Sequence, residues 1–291
     1  MIAQAAHSAD FDDRVVVVSG AGSRGDGIGN GRAAALLLAR AGARVALLDQ
    51  QRQWAQATHD MITSEGGTAI VVEVDVASAA SCEKAVAQVI AQFGGVYGLV
   101  NNVGIGGPPG NAIEVDPDAW DVGMAVNVKS MMLMSKYCLP HMIEAGNGSI
   151  VNISSVAGLR GGTPSLLYPT SKAAVVGMTQ AMAAHHGRSG VRVNCIAPGM
   201  VYTPMVAGRG MAPEIREARR NRSLLGTEGT GWDVGHAVRF LLSDEARWVT
   251  GITFPVDAGT TAGSHSYPPP PAALHGAQTP APGDFDHGQD Q

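Results

Sequence analysis

Only 3 of the 291 residues are cysteine, and Cys82, Cys138 and Cys195 stand far apart, without the paired spacing of zinc or redox motifs. So odd and scattered a set excludes a disulfide framework, and buried, reduced thiols are expected. Cations are also in short supply: 20 Lys and Arg against 25 Asp and Glu give a formal charge of −5, with an isoelectric point near 6.0. No basic field exists to draw nucleic acid or an anionic membrane surface, and neither is expected as a partner. No apolar run approaches the roughly 18 residues that a membrane span needs. Residues 1–10 have neither the basic start nor the apolar core of a secretory leader. The expectation is a soluble, cytoplasmic protein.

Hydrophobic residues make up 45% and charged residues 15% of the chain, enough to bury a full core. Residues 15–19 form a short β-branched run, 20–31 are glycine-rich and 32–40 are helical in composition, so the chain opens strand, glycine turn, helix. The alternation continues with strands at 44–48, 69–74 and 97–101 and helices at 54–65 and 82–93. A long helical stretch over 117–144 follows, then a strand at 149–153, a helix at 166–186 and a strand at 191–196. An irregular Met- and Arg-rich stretch runs to 228, before a helix at 234–242 and a last strand at 252–256. Strands separated by helices of this length imply parallel pairing with right-handed crossovers. The expected fold is α/β: one doubly wound parallel sheet of about seven strands with helices on both faces and its ligand crevice at the strands' carboxyl ends. Residues 1–12 are expected to be a flexible N-terminus and 13–262 the folded α/β domain. From 263 the composition turns to Pro, Gly, Ala, His and Asp, with four prolines at 268–271, and cannot offset its own ordering entropy. A disordered tail is expected over 263–291.

The glycine turn reads Ser19-Gly20-Ala21-Gly22-Ser23-Arg24-Gly25-Asp26-Gly27-Ile28-Gly29-Asn30-Gly31. Glycines let the backbone approach a pyrophosphate, and the N-terminus of the following helix offers free N–H groups and a partial positive charge. Asp49 ends the second strand roughly 20 residues further on, where a carboxylate can accept both hydroxyls of an adenosine ribose. The same carboxylate repels a 2′-phosphate by on the order of 4 kcal/mol at about 4 Å and an effective dielectric near 20. NAD is therefore expected over NADP, although Arg24 in the loop could pair with a 2′-phosphate.

Further motifs follow in order: Asp75-Val76, Asn101-Asn102-Val103-Gly104, Asn127 within Val126-Asn127-Val128, Ser155 thirteen residues before Tyr168, Tyr168-Pro169-Thr170-Ser171-Lys172, and Pro198-Gly199-Met200-Val201-Tyr202-Thr203. Over roughly residues 13–260 the chain resembles the short-chain dehydrogenase/reductase family, a Rossmann-like fold. The resemblance implies a catalytic set of Asn127, Ser155, Tyr168 and Lys172. It implies a nicotinamide cofactor contacted at Gly20, Arg24, Gly27, Ile28, Asp49, Asp75, Val76, Asn102, Gly104, Tyr168, Lys172, Pro198, Gly199, Val201 and Thr203. It also implies a homotetramer or homodimer, with 117–144 and 166–186 as contacts. Two departures stand out. Gly20 to Gly27 encloses six residues where the family has three, an insertion that costs a few tenths of a kcal/mol in loop closure but blurs the roles of Ser23, Arg24 and Gly25. Ala258 replaces a frequent glycine.

The side chains suggest how such a site works. Tyrosine ordinarily titrates near 10, so a base at neutral pH needs help. Tyr168 and Lys172 lie one helical turn apart, so the ammonium can stabilise a phenolate; moving the tyrosine to about 7 takes roughly 4 kcal/mol. Ser155 can hydrogen-bond a substrate oxygen as charge develops on it, and by resemblance Asn127 holds a water near Lys172. Pro169 places the helix start within a turn of Tyr168. His185-His186 reads as a helix terminus rather than a metal site, Met131, Met132 and Met134 as core, and 214–222 as a solvated helix of a substrate lid. A crevice lined by 104–109, Leu159, Leu166, Leu167 and 200–211 is mostly apolar, which suits a small or medium apolar secondary alcohol or its ketone. NAD favours the oxidative direction. Two alternatives stay open: an NADPH-dependent 3-oxoacyl-type ketoreductase, and an NAD-sensing protein without turnover.

Overall fold

An unbroken run of buried β-branched residues suits a strand covered on both faces, and Val15–Ser19 (β1) is buried at every position. In the computed structural model, which describes residues 11–23, 25, 27–208 and 210–264, β1 leads through the glycine-rich loop into α1 (Asn30–Arg40). There follow β2 (Arg44–Asp49), α2 (Arg52–Ser64), β3 (Thr68–Glu73), α3 (Ala79–Phe93) and β4 (Gly98–Asn101). The second half comprises α4 (Pro117–Met124), a π-helical turn (Ala125–Lys129), α5 (Ser130–Glu144), β5 (Gly148–Ile153), α6 (Leu167–His186) and β6 (Val191–Pro198). It ends with α7 (Pro204–Ala207), α8 (Pro213–Arg220), α9 (Gly231–Leu242) and β7 (Thr253–Val256).

The strands form one seven-stranded sheet in the order β3-β2-β1-β4-β5-β6-β7, and every pairing is parallel. The order reverses at β1 and β4, whose carboxyl ends carry Ser19 and Asn101. A crevice opens at such a switch point. Two apolar layers cover the sheet: α1 and α9 pack with Val16, Val18, Val45 and Leu47 on one face, and α3 and α5 pack with Val17, Leu48 and Leu99 on the other.

The long helical stretch over 117–144 is not one regular helix, because the Ala125–Lys129 turn widens it at Asn127; such bulges frequently mark functional sites. The stretch expected to be irregular up to 228 contains the short helix α7, and α8 falls where a solvated helix is expected over 214–222. Met131 and Met134 are buried as expected, but Met132 is 43% exposed and belongs to the surface. The cysteines are all buried and free, with burial pushing their thiols up to about 11, 12 and 11 for Cys82, Cys138 and Cys195. Among the described residues no helix is long and apolar enough to cross a membrane, and no cluster of metal-ligating side chains occurs. Arg24, residues 1–10 of the N-terminal segment and 265–291 of the tail lie outside the described residues.

Candidate active site

At the end of β1 the chain turns sharply: Gly20 adopts φ +65°, a conformation that favours glycine, and its N–H donates to the Leu48 carbonyl at 2.8 Å. Gly31 lets α1 approach this turn, since a Cβ there would run into the Gly20 carbonyl and lie 2.6 Å from the Asn102 amide. Asn102 closes the contact by donating from Nδ2 to the Gly20 carbonyl at 3.0 Å. The first turn of α1 carries no acidic residue and no side-chain cap, so its N–H groups stay available to an anion. Asp49 is buried at the end of β2 and accepts from the Gly22 N–H (3.0 Å) and the Gln51 N–H (3.0 Å). Its carboxylate thus lies against the glycine-rich loop. This uncapped helix end, glycine cradle and carboxylate fit a dinucleotide. Asp75 is exposed and caps its own turn through the Ala77 N–H, while Val76 is buried beside it.

Lys172 projects from α6 into the interior. It is 3% exposed, and its ammonium donates to the Ile153 carbonyl at 2.9 Å. Burial pulls it down to about 8, because desolvation penalises the charged form. Its Nζ lies 5.8 Å from the centroid of the Tyr168 ring, so the two share the face that their spacing predicts. Helix α6 starts at Leu167, placing Pro169 in its first turn as expected. Tyr168 is half-buried, and its N–H donates to the Ser165 hydroxyl at 3.3 Å.

Asn127 is completely buried in the π turn. Its Oδ1 accepts from the Ile105 N–H at 2.7 Å, and its Nδ2 donates to the Ile105 carbonyl (2.9 Å) and the Ser171 hydroxyl (3.0 Å). A Cβ on Gly104 would sit 3.0 Å from Lys172 Nζ and 3.5 Å from Asn127 Oδ1. Glycine at 104 therefore lets these two groups flank the segment leaving β4. Ser155 follows β5; its Oγ accepts from the Ala157 N–H at 3.1 Å, which leaves the hydroxyl proton to be donated elsewhere. At the end of β6, Gly199 packs so tightly on Asp257 that a Cβ would fall 2.7 Å from its Cα. Val201 then bridges to Gly229, and Thr203 precedes α7. Gly27 touches Pro204 at the start of α7, so the glycine-rich loop meets the segment that follows β6, with Ile28 half-buried behind it.

One expectation is overturned within the crevice. Leu167 is fully buried, filling the space that Gly107 and Gly123 leave by lacking a Cβ, and so does not line the opening. Four contributors escape sequence reasoning. Ser154 donates to the Lys172 carbonyl at 2.7 Å and fastens α6 to β5; Ser171 pairs with Asn127; Arg32 and Thr58 lie beneath the glycine-rich loop. Ser154 and Ser171 sit inside motifs whose other members drew attention, and nothing in a helical composition marks Arg32.

This geometry defines a dinucleotide-binding oxidoreductase built around a tyrosine–lysine helix. Comparison with known proteins agrees: a family model described as enoyl-(acyl carrier protein) reductase matches residues 23–261. The chain is 40% identical over 254 residues to 2-(S)-hydroxypropyl-CoM dehydrogenase 3 of Xanthobacter autotrophicus, covering 86% of this chain and 97% of that protein. It is 36% identical over 254 residues to meso-2,3-butanediol dehydrogenase of Serratia marcescens, covering 87% and 96%. A solved short-chain dehydrogenase/reductase from Burkholderia xenovorans superposes with a TM-score of 0.82 at 37% identity, covering 87% of this chain and 98% of that one. The chain belongs to the short-chain dehydrogenase/reductase family and is a nicotinamide-dependent oxidoreductase acting on CH–OH donors.

Proposed function

We propose that the chain oxidises a small or medium apolar secondary alcohol to its ketone with NAD, using Tyr168 as the proton-handling group. The observation that carries this reading is the buried Lys172 ammonium 5.8 Å from the Tyr168 ring. A cation held so close in a low-dielectric interior favours a phenolate over a phenol. The nicotinamide ring, when bound, supplies the hydride acceptor. Ser155 donates its hydroxyl proton to the substrate oxygen and orients it toward Tyr168. Asn127 holds the 104–105 segment beside Lys172, and the second lone pair of its Oδ1 serves a water that passes the proton outward.

NAD over NADP follows from Asp49, whose buried carboxylate faces the loop where a 2′-phosphate would add like charge. The apolar preference follows from Ile105, Leu159, Leu166 and Met205, large side chains left exposed around the opening. The relatives named for butanediol and hydroxypropyl-CoM support a secondary alcohol as the donor, and say nothing of its polarity. Helices α7 and α8 form the lid, and assembly into a homotetramer or homodimer through 117–144 and 166–186 accounts for the exposed Val122, Met132 and Ile143.

The test is a panel of alicyclic, aromatic and steroid alcohols against polyols, followed by NAD reduction, with Tyr168→Phe as control. Turnover should fall about a hundredfold or more in Tyr168→Phe, with NAD still raising thermal stability. Activity confined to polyols would sink the apolar substrate, and a larger thermal shift with NADP would sink the cofactor preference.

A further inference from the structure

The glycine-rich loop is three residues longer than the family's usual form, and a longer loop binds phosphate only if it is held in shape. Arg32 does the holding. Its side chain is completely buried at the start of α1. Nη1 donates to the Gly27 carbonyl at 2.7 Å and to the Gly25 carbonyl at 3.3 Å, Nη2 to the Trp54 carbonyl at 3.4 Å, and Nε to the Thr58 hydroxyl at 3.0 Å. Thr58 passes the link on by donating to the Ala21 carbonyl at 2.8 Å. One guanidinium therefore reaches the extended stretch and both its flanks: Ala21 before it through Thr58, Gly25 within it and Gly27 after it directly.

Two consequences bear on an anion. In a planar trans peptide the carbonyl and the next N–H point in opposite directions, so drawing the Gly27 carbonyl toward Arg32 turns the Ile28 N–H away from it. The guanidinium is also permanently charged, and that charge beneath the loop adds to the partial positive charge of the α1 N-terminus. A lysine could not do the same, since a single ammonium lacks the planar fork that serves several acceptors at fixed angles.

We infer that Arg32 is a positioning residue for the cofactor's pyrophosphate, acting through the extended loop whose two ends it ties together. The inference rests on the reading of residues 20–31 as the phosphate cradle. Its test is direct binding to the intact chain by calorimetry, for wild type, Arg32→Met, Arg32→Lys and Thr58→Val, with NAD, ADP-ribose and adenosine as probes. Adenosine lacks the pyrophosphate.

NAD and ADP-ribose should bind Arg32→Met about tenfold or more weakly, since charged hydrogen bonds that shape the loop are lost, while adenosine affinity is retained. Arg32→Lys should recover part of the loss, and Thr58→Val should show a smaller loss of the same kind. In turnover, KM for NAD should rise far more than kcat falls. Circular dichroism checks folding; should Arg32→Met fail to fold, Thr58→Val, which keeps the charge and nearly the volume, decides alone. Unchanged ADP-ribose affinity in a folded variant, or an equal loss for adenosine, would overturn the role of Arg32. A wild type that binds ADP-ribose no better than adenosine would overturn the cradle reading and this inference with it.

Discussion

The Lys172 ammonium donates to the carbonyl of Ile153 at 2.9 Å, so the last residue of β5 holds the cation of α6 in a fully buried position. Ser154, the next residue, accepts nothing from that side chain but donates to the Lys172 carbonyl at 2.7 Å. The last residue of the strand and the one after it thus grip both ends of the same lysine. That grip keeps a charged group where water would otherwise be its natural partner, and the desolvation has a measurable sign.

Burial pulls Lys172 from 10.5 down to about 8. A lysine titrating lower in the folded state than in the unfolded one is bound by fewer protons when folded between those values, so stability rises with pH across that window. Below about 8 the lysine is charged in both states and the penalty is present in full. The difference in unfolding free energy between wild type and Lys172→Met, followed from pH 7 to about 10.5, should therefore move in favour of wild type by about 3 kcal/mol. A flat difference across the window would show that the ammonium bears no such penalty.

Ala258 occupies φ +51°, in the region that side chains with a Cβ rarely adopt, while the Asp257 carboxylate beside it accepts from the Gly259 N–H and from Thr261. The turn after β7 is shaped by those bonds, and the alanine tolerates the strain. Ala258→Gly should stabilise the protein by about 0.5–1 kcal/mol, relief of left-handed strain outweighing the added freedom of the unfolded chain. Thermal unfolding of the two proteins measures it, and a lower midpoint for the glycine variant would contradict the strain.

Asp49 turns one oxygen to the Gly22 N–H and the other to the Gln51 N–H. Asp49→Ser removes the charge and keeps a small acceptor. NADP affinity should rise relative to NAD by about tenfold or more, in line with the roughly 4 kcal/mol of repulsion that a nearby like charge can impose. Paired titrations with the two cofactors read the ratio; an unchanged ratio would mean that Asp49 shapes the loop without facing the ribose.

The sheet and its helices were legible because buried parallel strands read as apolar runs and the intervening helices as 3.6-residue patterns. Pro169 marked the start of α6 through its own backbone chemistry. The π turn at Ala125–Lys129 was not legible: it has ordinary helical composition, and only the pairing of Asn127 with both backbone groups of Ile105, 22 residues away in sequence, rewards the wider turn. On its residue type alone Leu167 lines the crevice as one more apolar residue beside Leu166. Which of two adjacent leucines faces inward depends on Gly107 and Gly123 leaving room for one of them, and no local pattern encodes that. Arg32 is invisible for a related reason, since arginine in a helix is ordinarily solvated and its partners are α2 and the glycine-rich loop that folds back over it.

Glu228 gathers two cations of α8: Arg219 at 2.6 Å and Arg216 at 2.9 Å, with its own side chain only 4% exposed. Arg219 also donates to the Val201 carbonyl at 3.1 Å, and the Arg216 guanidinium lies 4.0 Å over the Tyr202 ring, so α8 is latched to the segment that leaves β6. Burial pushes the Glu228 carboxyl up, but hydrogen bonds from Arg219 and Arg216 outweigh it and hold it below its ordinary value. A carboxyl held lower in the folded state contributes stability that is present above its unfolded value of 4.5 and fades as pH falls through the folded value. Glu228→Gln should therefore loosen α8 at neutral pH, speeding amide exchange over residues 213–220 by roughly tenfold, as expected when charge-assisted bonds are lost from a local opening unit. Relative to the intrinsic exchange rate at each pH, the same acceleration in wild type should set in only as the pH is lowered below 4.5, and the variant should show no such onset. Equal exchange in the two proteins at neutral pH would mean that α8 is held by its other contacts and not by this carboxylate.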